Sequence, residues 1–346
     1  MINDIAGRRI VITGGAGFIG HHMALTLKKK GANVEVIDSL QVNNLAAFAG
    51  NTDNIGNRSL YLHLIHERLD LLHAAEIPVH VLDARDYQTL APLLAEIKPD
   101  VIVHLAAVAH ANMANKNPFS TFDHSLRTLE NALDSSRERK PHFIYFSSSM
   151  VYGNFTSGTV TEETHCEPLG IYGALKFSGE KMVIAYNQVF GLPYTIMRPS
   201  ALYGERCVSR RVGQVFIENA MQGLELQIAG DGSDRLDFTY VEDVVQGVVK
   251  AIQRPEARNQ IFNLTFGGSR SISQMIDILR AHFPNVTVKS TPKDKLMPDR
   301  GTLSIDKARA LLGYDAAYPL ETGFPRYIEW YKNLFARNDT LLRRAI

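Results

Sequence analysis

Tyr172 and Lys176 stand four residues apart in a stretch with helical spacing, so their side chains share one face of a helix. A nearby ammonium favours phenolate, and the pairing is expected to lower the tyrosine pKa from about 10 toward the working range. A phenol poised in this way can take the proton of an alcohol while hydride leaves the same carbon. Ser147, Ser148 and Ser149 close the apolar run just before this helix, where a hydroxyl could bond the reacting oxygen. A Tyr-x-x-x-Lys pair by itself is a common surface feature. Its place behind a strand that ends in three serines favours chemistry.

Hydride needs an acceptor, and residues 11–20 provide a place for one. They read VITGGAGFIG. Gly15, Gly17 and Gly20 have G-x-G-x-x-G spacing, and Gly14 adds a fourth glycine. A short apolar strand at 9–12 precedes them, a helix at 21–30 follows, and a second strand ends at Asp38. Glycines at these positions allow a tight turn, close approach of backbone to a pyrophosphate, and close packing of helix on strand. The helix N-terminus offers free N–H groups and partial positive charge to phosphates. A carboxylate at Asp38 can accept both ribose hydroxyls and would repel a 2′-phosphate. The cofactor expected is therefore NAD rather than NADP. A glycine turn that serves only packing is the competing reading, but strand, turn, helix, strand and acid all fall in order.

The elements that must position these groups alternate along the chain. Strands are expected at 79–82, 101–105, 142–146 and 194–197, with helices at 60–75, 87–97, 121–137 and 172–190. The fold class is α/β: a Rossmann-type doubly wound parallel sheet, with its ligand at the strand C-terminal ends. Residues 1–199 are expected to form the NAD-binding domain, with 238–266 returning to it. Residues 200–237 and 267–346, mostly helical in the latter part, are expected to form a smaller substrate-binding domain. A hydrophobic content of 45% is ample for such a core. The net charge of +1 gives no pointer to nucleic acid or an anionic membrane. No run reaches the roughly 18 apolar residues of a membrane span, and the opening residues do not have the form of a signal peptide. Two cysteines, Cys166 and Cys207, are too few for a disulfide framework or a cysteine zinc site, so a reducing cytoplasm is expected.

With these motifs in place, the chain resembles the extended short-chain dehydrogenase/reductases, in the NAD-dependent epimerase/dehydratase group. The likeness rests on residues 13–20, Asp38, Asp83, His104 to Ala107, Ser147 to Gly153, Tyr172 to Lys176, Arg198-Pro199, Tyr203-Gly204, residues 237–241 and residues 306–313. The resemblance implies that Gly14, Gly17, Phe18, Ile19 and Gly20 hold the dinucleotide and that Asp83 and Ala84 lie at adenine. It also implies that Leu105, Ala106 and Ala107 line the cofactor, that Pro199 lies near nicotinamide, and that Tyr172 and Lys176 contact the cofactor as well as catalyse. It places the reactive serine at Ser148, beside Ser149. Members usually oxidise the C4 hydroxyl of a nucleotide sugar and act on the 4-keto intermediate. The connection holding Tyr61 and Arg68 is most like that of UDP-glucuronate 4-epimerases. The resemblance further implies a homodimer formed through two helices, 121–137 and 176–190.

The position before Val151-Tyr152-Gly153 distinguishes reactions. Related 4,6-dehydratases carry a glutamate there and C3 or C5 epimerases a cysteine; this chain has Met150, which moves no proton. A 4-epimerase is therefore expected, with a 4-dehydrogenase or reductase and a 4,6-dehydratase as alternatives, and an NAD(H)-sensing binding protein as the non-enzyme alternative. Ala201, Leu236 and Ser125 depart from residues common in nucleotide-sugar members. Arg206, Arg210, Arg211 and Arg300 are candidates to replace a lost diphosphate contact, Arg211 and Arg300 foremost. His110 could face the substrate, and Cys166 could lie near the site mouth. His21 and His22 are expected at the surface. His63, His66 and His73 share a helical face without an acid in register, so no metal is expected.

Overall fold

Runs of Val, Ile and Phe without polar alternation belong in a sheet buried on both faces. In the computed structural model, which describes residues 4–50, 56–108, 111–156, 158–293, 297–338 and 341, those runs form the central sheet. Among the described residues its strands are β1 (Arg9–Thr13), β2 (Asn33–Asp38), β3 (Val79–Val81), β4 (Val101–His104), β5 (His142–Phe146), β6 (Tyr194–Arg198) and β7 (Gln260–Asn263). All pair in parallel, in the spatial order β3-β2-β1-β4-β5-β6-β7. The chain winds outward in opposite directions from β1 and β4, which opens a crevice at their carboxyl ends.

Helices α1 (Phe18–Lys29), α2 (Arg58–Ala74), α3 (Tyr87–Ile97), α4 (Thr128–Asp134) and α5 (Gly170–Phe190) belong to the first part of the chain. The Asp86 side chain accepts from Gln88 N and fixes the start of α3. The helix expected over 121–137 is interrupted. It begins at Pro118, widens into a π turn over Asp123–Arg127, and resumes as α4. Hydroxyls of Thr121 and Thr128 bond carbonyls four residues back, which bends a helix, and Thr128 also reaches Ala106 O. Spacing of apolar residues carries no signal for such a turn.

Helices α6 (Val212–Met221), α7 (Val241–Gln253), α8 (Ile272–His282) and α9 (Leu320–Arg337) follow. A capping box of Ser271 and Gln274 starts α8. Helix α7 packs with α1 on the sheet, whereas α6, α8 and α9 share a second core with Tyr61 and Leu64 of α2. The end of the chain is less helical than expected. Short strands at Arg270–Ser271, Val288–Thr291 and Thr302–Leu303 pair with Arg235–Leu236, Leu226–Ala229 and Thr159–Val160. They cross-link segments distant in sequence, so local periodicity does not reveal them. No helix among the described residues is long and apolar enough to cross a membrane.

Candidate active site

The site begins where β1 ends. Gly14 has φ +72°, and a Cβ on it would meet Ala106 N at 2.8 Å. A Cβ on Gly20 would come 2.5 Å from Gly15 Cα, so only glycine lets α1 start this close to the turn. Gly17 caps α1 with no side-chain bond, and the first turn holds no acid. The orphan N–H groups are thus left for an anion. Asp38 Oδ2 accepts from Ala16 N at 3.0 Å and Oδ1 from Leu40 N at 2.8 Å. Burial raises its pKa, and these bonds oppose the shift. The carboxylate is thereby fixed beside the turn, and the arrangement fits a dinucleotide.

One cleft of about 500 Å³ collects nearly all the residues singled out above. Gly14, Gly17, Phe18, Ile19, Gly20, Asp38, Asp83, Ala84, Leu105, Ala106, Ala107 and Pro199 line it, as do Ser148, Ser149, Met150, Tyr172, Lys176, Arg211 and Arg300. His110 lies outside the described residues. Asp83 is not a free acceptor. Arg85 grips it from Nε at 3.0 Å and from a terminal nitrogen at 2.6 Å, which holds its carboxyl below the usual range. The same guanidinium bonds Asp123 at 2.9 Å. Sequence reasoning did not single out Arg85, although its spacing from Asp83 allows the pair.

Ser148 caps the short turn Ser149–Tyr152, its Oγ accepting from Met150 N at 3.2 Å. Its side chain also hydrogen-bonds the Tyr172 phenol oxygen. Lys176 is buried and its Nζ donates to Phe146 O at 2.7 Å, lying 5.2 Å from the Tyr145 ring centre. Burial pushes Lys176 down to about 8, against Glu180 one turn along α5. The expected lowering of Tyr172 by Lys176 is not what the protein alone produces. Burial raises Tyr172, and the opposing influences are the Ser148 bond and the charge of Arg211. The reason is orientation: the ammonium is turned to the end of β5.

Behind these groups lies a network the sequence reading missed. Arg198 at the end of β6 forms a fork on Glu180, Nε to Oε1 at 2.9 Å and Nη2 to Oε2 at 2.7 Å. Glu180 also accepts from Ser147 Oγ at 2.5 Å, and Arg198 Nη1 donates to Tyr152 Oη at 2.9 Å. The four-residue step from Lys176 to Glu180 was the available signal. Cys166 packs with Val151 and Tyr152 behind this network, away from the site mouth where it was expected, and burial raises its thiol pKa.

The arginines divide. Arg206 is taken by Glu67 and His21, so it is not free for a ligand. Arg210 and Arg235 reach the cleft, but Arg235 is spent on Ser269. Arg211 and Arg300 each keep a buried Nε without a partner. Burial pushes Arg300 down to about 10, with Asp234 opposing and Arg211 adding to the fall. His21 and His22, expected at the surface, are inside: His21 is bonded to Gly17 O and Arg206, and His22 to Glu205 O. Burial depresses both. Among the described residues no group of three or more His, Cys, Asp or Glu is placed to hold a metal.

The model of the NAD dependent epimerase/dehydratase family matches residues 10–265, which span the glycine turn, the serine run and the tyrosine–lysine pair. This chain belongs to that family. It is an NAD-dependent enzyme of the epimerase/dehydratase type. It is 31% identical to the uncharacterized UDP-glucose epimerase YtcB of Bacillus subtilis (strain 168), over 94% of this chain and 99% of that one. It is 28% identical to UDP-glucuronate 4-epimerase 1 of Arabidopsis thaliana, over 97% of this chain and 80% of the relative. The crystal structure of UDP-glucuronic acid 4-epimerase from Bacillus cereus, in complex with UDP-glucuronic acid and NAD, superposes with a TM-score of 0.83. It is 26% identical, over 94% of this chain and 99% of that one.

Proposed function

We propose that this enzyme is a nucleotide-sugar 4-epimerase that acts on a UDP-sugar. The observation that carries the reading is the meeting of Ser148, Tyr172 and Lys176 in the cleft that starts at the glycine turn, with Met150 as the adjoining side chain. The N-terminus of α1 and Asp38 hold the diphosphate and ribose of NAD, Lys176 the nicotinamide ribose, and Pro199 packs near nicotinamide. When bound, NAD supplies the acceptor of the C4 hydride and then its donor. Tyr172 takes the C4 hydroxyl proton and returns it at the end. Ser148 donates a hydrogen bond to the same oxygen, which strengthens as charge develops there. Met150 offers no proton, so the adjoining carbons are untouched. Arg211 and Arg300 hold the sugar-nucleotide diphosphate with the N–H groups they now leave unpaired.

Residues 200–237 and 267–346 act as the substrate-binding unit over the cofactor domain. The homodimer is expected to form on the segments 121–137 and 176–190, where Phe122 and Val189 are exposed. Light scattering reads that state, and a monomer at micromolar concentration contradicts it. The function is tested by incubating the protein with UDP-glucose and with UDP-glucuronate and following the sugar by NMR. The C4 epimer of one of them is expected. Stoichiometric NADH with a released 4-keto sugar would replace the reading with a dehydrogenase, and no turnover of any nucleotide sugar would remove it.

A further inference from the structure

Arg68 is among the largest fully buried side chains of the molecule, and it belongs to α2, in the long connection between β2 and β3. Arg68 nonetheless stands in the wall of the cleft. Nε donates to Arg206 O at 2.9 Å, and Nη2 donates to the same oxygen. Nη1 is buried and has no hydrogen-bond partner. A guanidinium always carries its charge and five donors, and a buried donor left unpaired is costly. A fixed cation with a spare N–H in the wall of a ligand cleft is suited to an anion.

Its position is fixed against the glycine turn. Arg206 holds a left-handed backbone conformation, φ 59°, and its own Nε donates to His21 Nε2 at 2.9 Å. His21 Nε2 therefore accepts, which leaves the proton on Nδ1, and Nδ1 donates to Gly17 O at 2.9 Å. Arg206 Nη1 meets Glu67, the residue before Arg68, at 3.2 Å. A closed set of bonds thus runs from the cap of α1 through His21 and Arg206 to Arg68. Asp38, the acid whose charge Arg68 senses, is pinned by Ala16 and Leu40. It repels an anion placed on its own side, and so disfavours a 2′-phosphate there. Gly17, Phe18 and Arg68 border the same cleft, and the first turn of α1 holds no acid.

We propose that Arg68 is a binding residue for the diphosphate bridge of the dinucleotide, donating from Nη1 across the cleft from the N-terminus of α1. The proposal rests on the placement of NAD given above. It also gives a role to the long β2–β3 connection, whose helix carries the cation into the cofactor site from outside the glycine motif.

The test uses full-length protein stripped of nucleotide, with NAD titrated by calorimetry and adenosine by ligand-observed NMR. A charge-assisted bond to phosphate is worth at least about tenfold in affinity. Arg68→Gln is expected to weaken NAD at least about tenfold and to leave adenosine within about twofold. Arg68→Lys keeps a charge without the fork and should fall between, which also covers failure of the glutamine variant to fold. Its adenosine affinity should stay unchanged. Unchanged NAD affinity in either variant, or equal losses for NAD and adenosine, overturns the proposal and assigns Arg68 to structure. Failure of the unsubstituted protein to bind NAD would overturn the cofactor placement itself, which is a different result.

Discussion

Replacing Glu180 by glutamine removes the counter-charge of a guanidinium buried to 3% exposure, from a carboxylate itself at 1%. Arg198 keeps its bonds to Tyr152 Oη and Glu162 O. Of its fork it can keep only the half that meets the amide oxygen, because the amide nitrogen brings donors against donors. Breaking one side of a buried pair costs about 3–5 kcal/mol. At about 2.1 cal/mol/K per residue, a chain of 346 residues has an unfolding entropy near 0.7 kcal/mol/K. The Tm should therefore drop by about 4–7 °C, read by calorimetry. Replacing both partners, Glu180→Leu with Arg198→Met, should recover much of the loss, since no charge is then stranded. Function should respond as well. Burial lowers the Lys176 amine and Glu180 opposes the fall, the two together leaving it at about 8. An ammonium is present below its pKa and lost as pH rises through it. The alkaline fall of kcat/KM should thus move to lower pH in Glu180→Gln. A Tm change under about 1 °C with an unmoved alkaline fall would refute the reasoning.

Three further outcomes are expected. Tyr172→Phe should lower kcat by about 10²–10⁴ while NAD affinity, measured by titration, stays largely intact, because the phenol oxygen is the base and the ring still packs. Asp38→Ala should weaken NAD and narrow its preference over NADP, read as the ratio of the two dissociation constants; equal affinities in the unsubstituted protein would reject the role of Asp38. Arg211→Ala and Arg300→Ala should each raise KM for the nucleotide sugar by about tenfold or more with smaller changes in NAD affinity, since each would lose a charged bond to phosphate.

The glycine turn, β1 to β6 and the tyrosine–lysine helix were legible because they are local. Each is a short run of buried residues or a fixed spacing, and helix 87–97 and strand 142–146 coincide with the expected bounds. What was not legible depends on residues far apart in sequence. His21 and His22 read as surface polar residues because their partners, Arg206 and Glu205, lie 185 and 183 residues further along the chain. Asp83 is placed at adenine by resemblance, and spacing does not show that Arg85 folds back on it. The Tyr172–Lys176 pair was found, yet its electrostatics were misjudged. Spacing gives proximity, whereas the direction of the ammonium is set by the Phe146 carbonyl at the end of another strand.

The central claim is that chemistry stays at C4, because Met150 adjoins Ser148 where a proton-moving group would otherwise stand. Turnover of the UDP-sugar substrate in deuterated water, with the product analysed by NMR and mass spectrometry, tests this most directly. The account predicts the C4 epimer with no deuterium on any carbon. Deuterium at C3 or C5, or a 4-keto-6-deoxy product, would contradict it and require another acid–base group in the cleft.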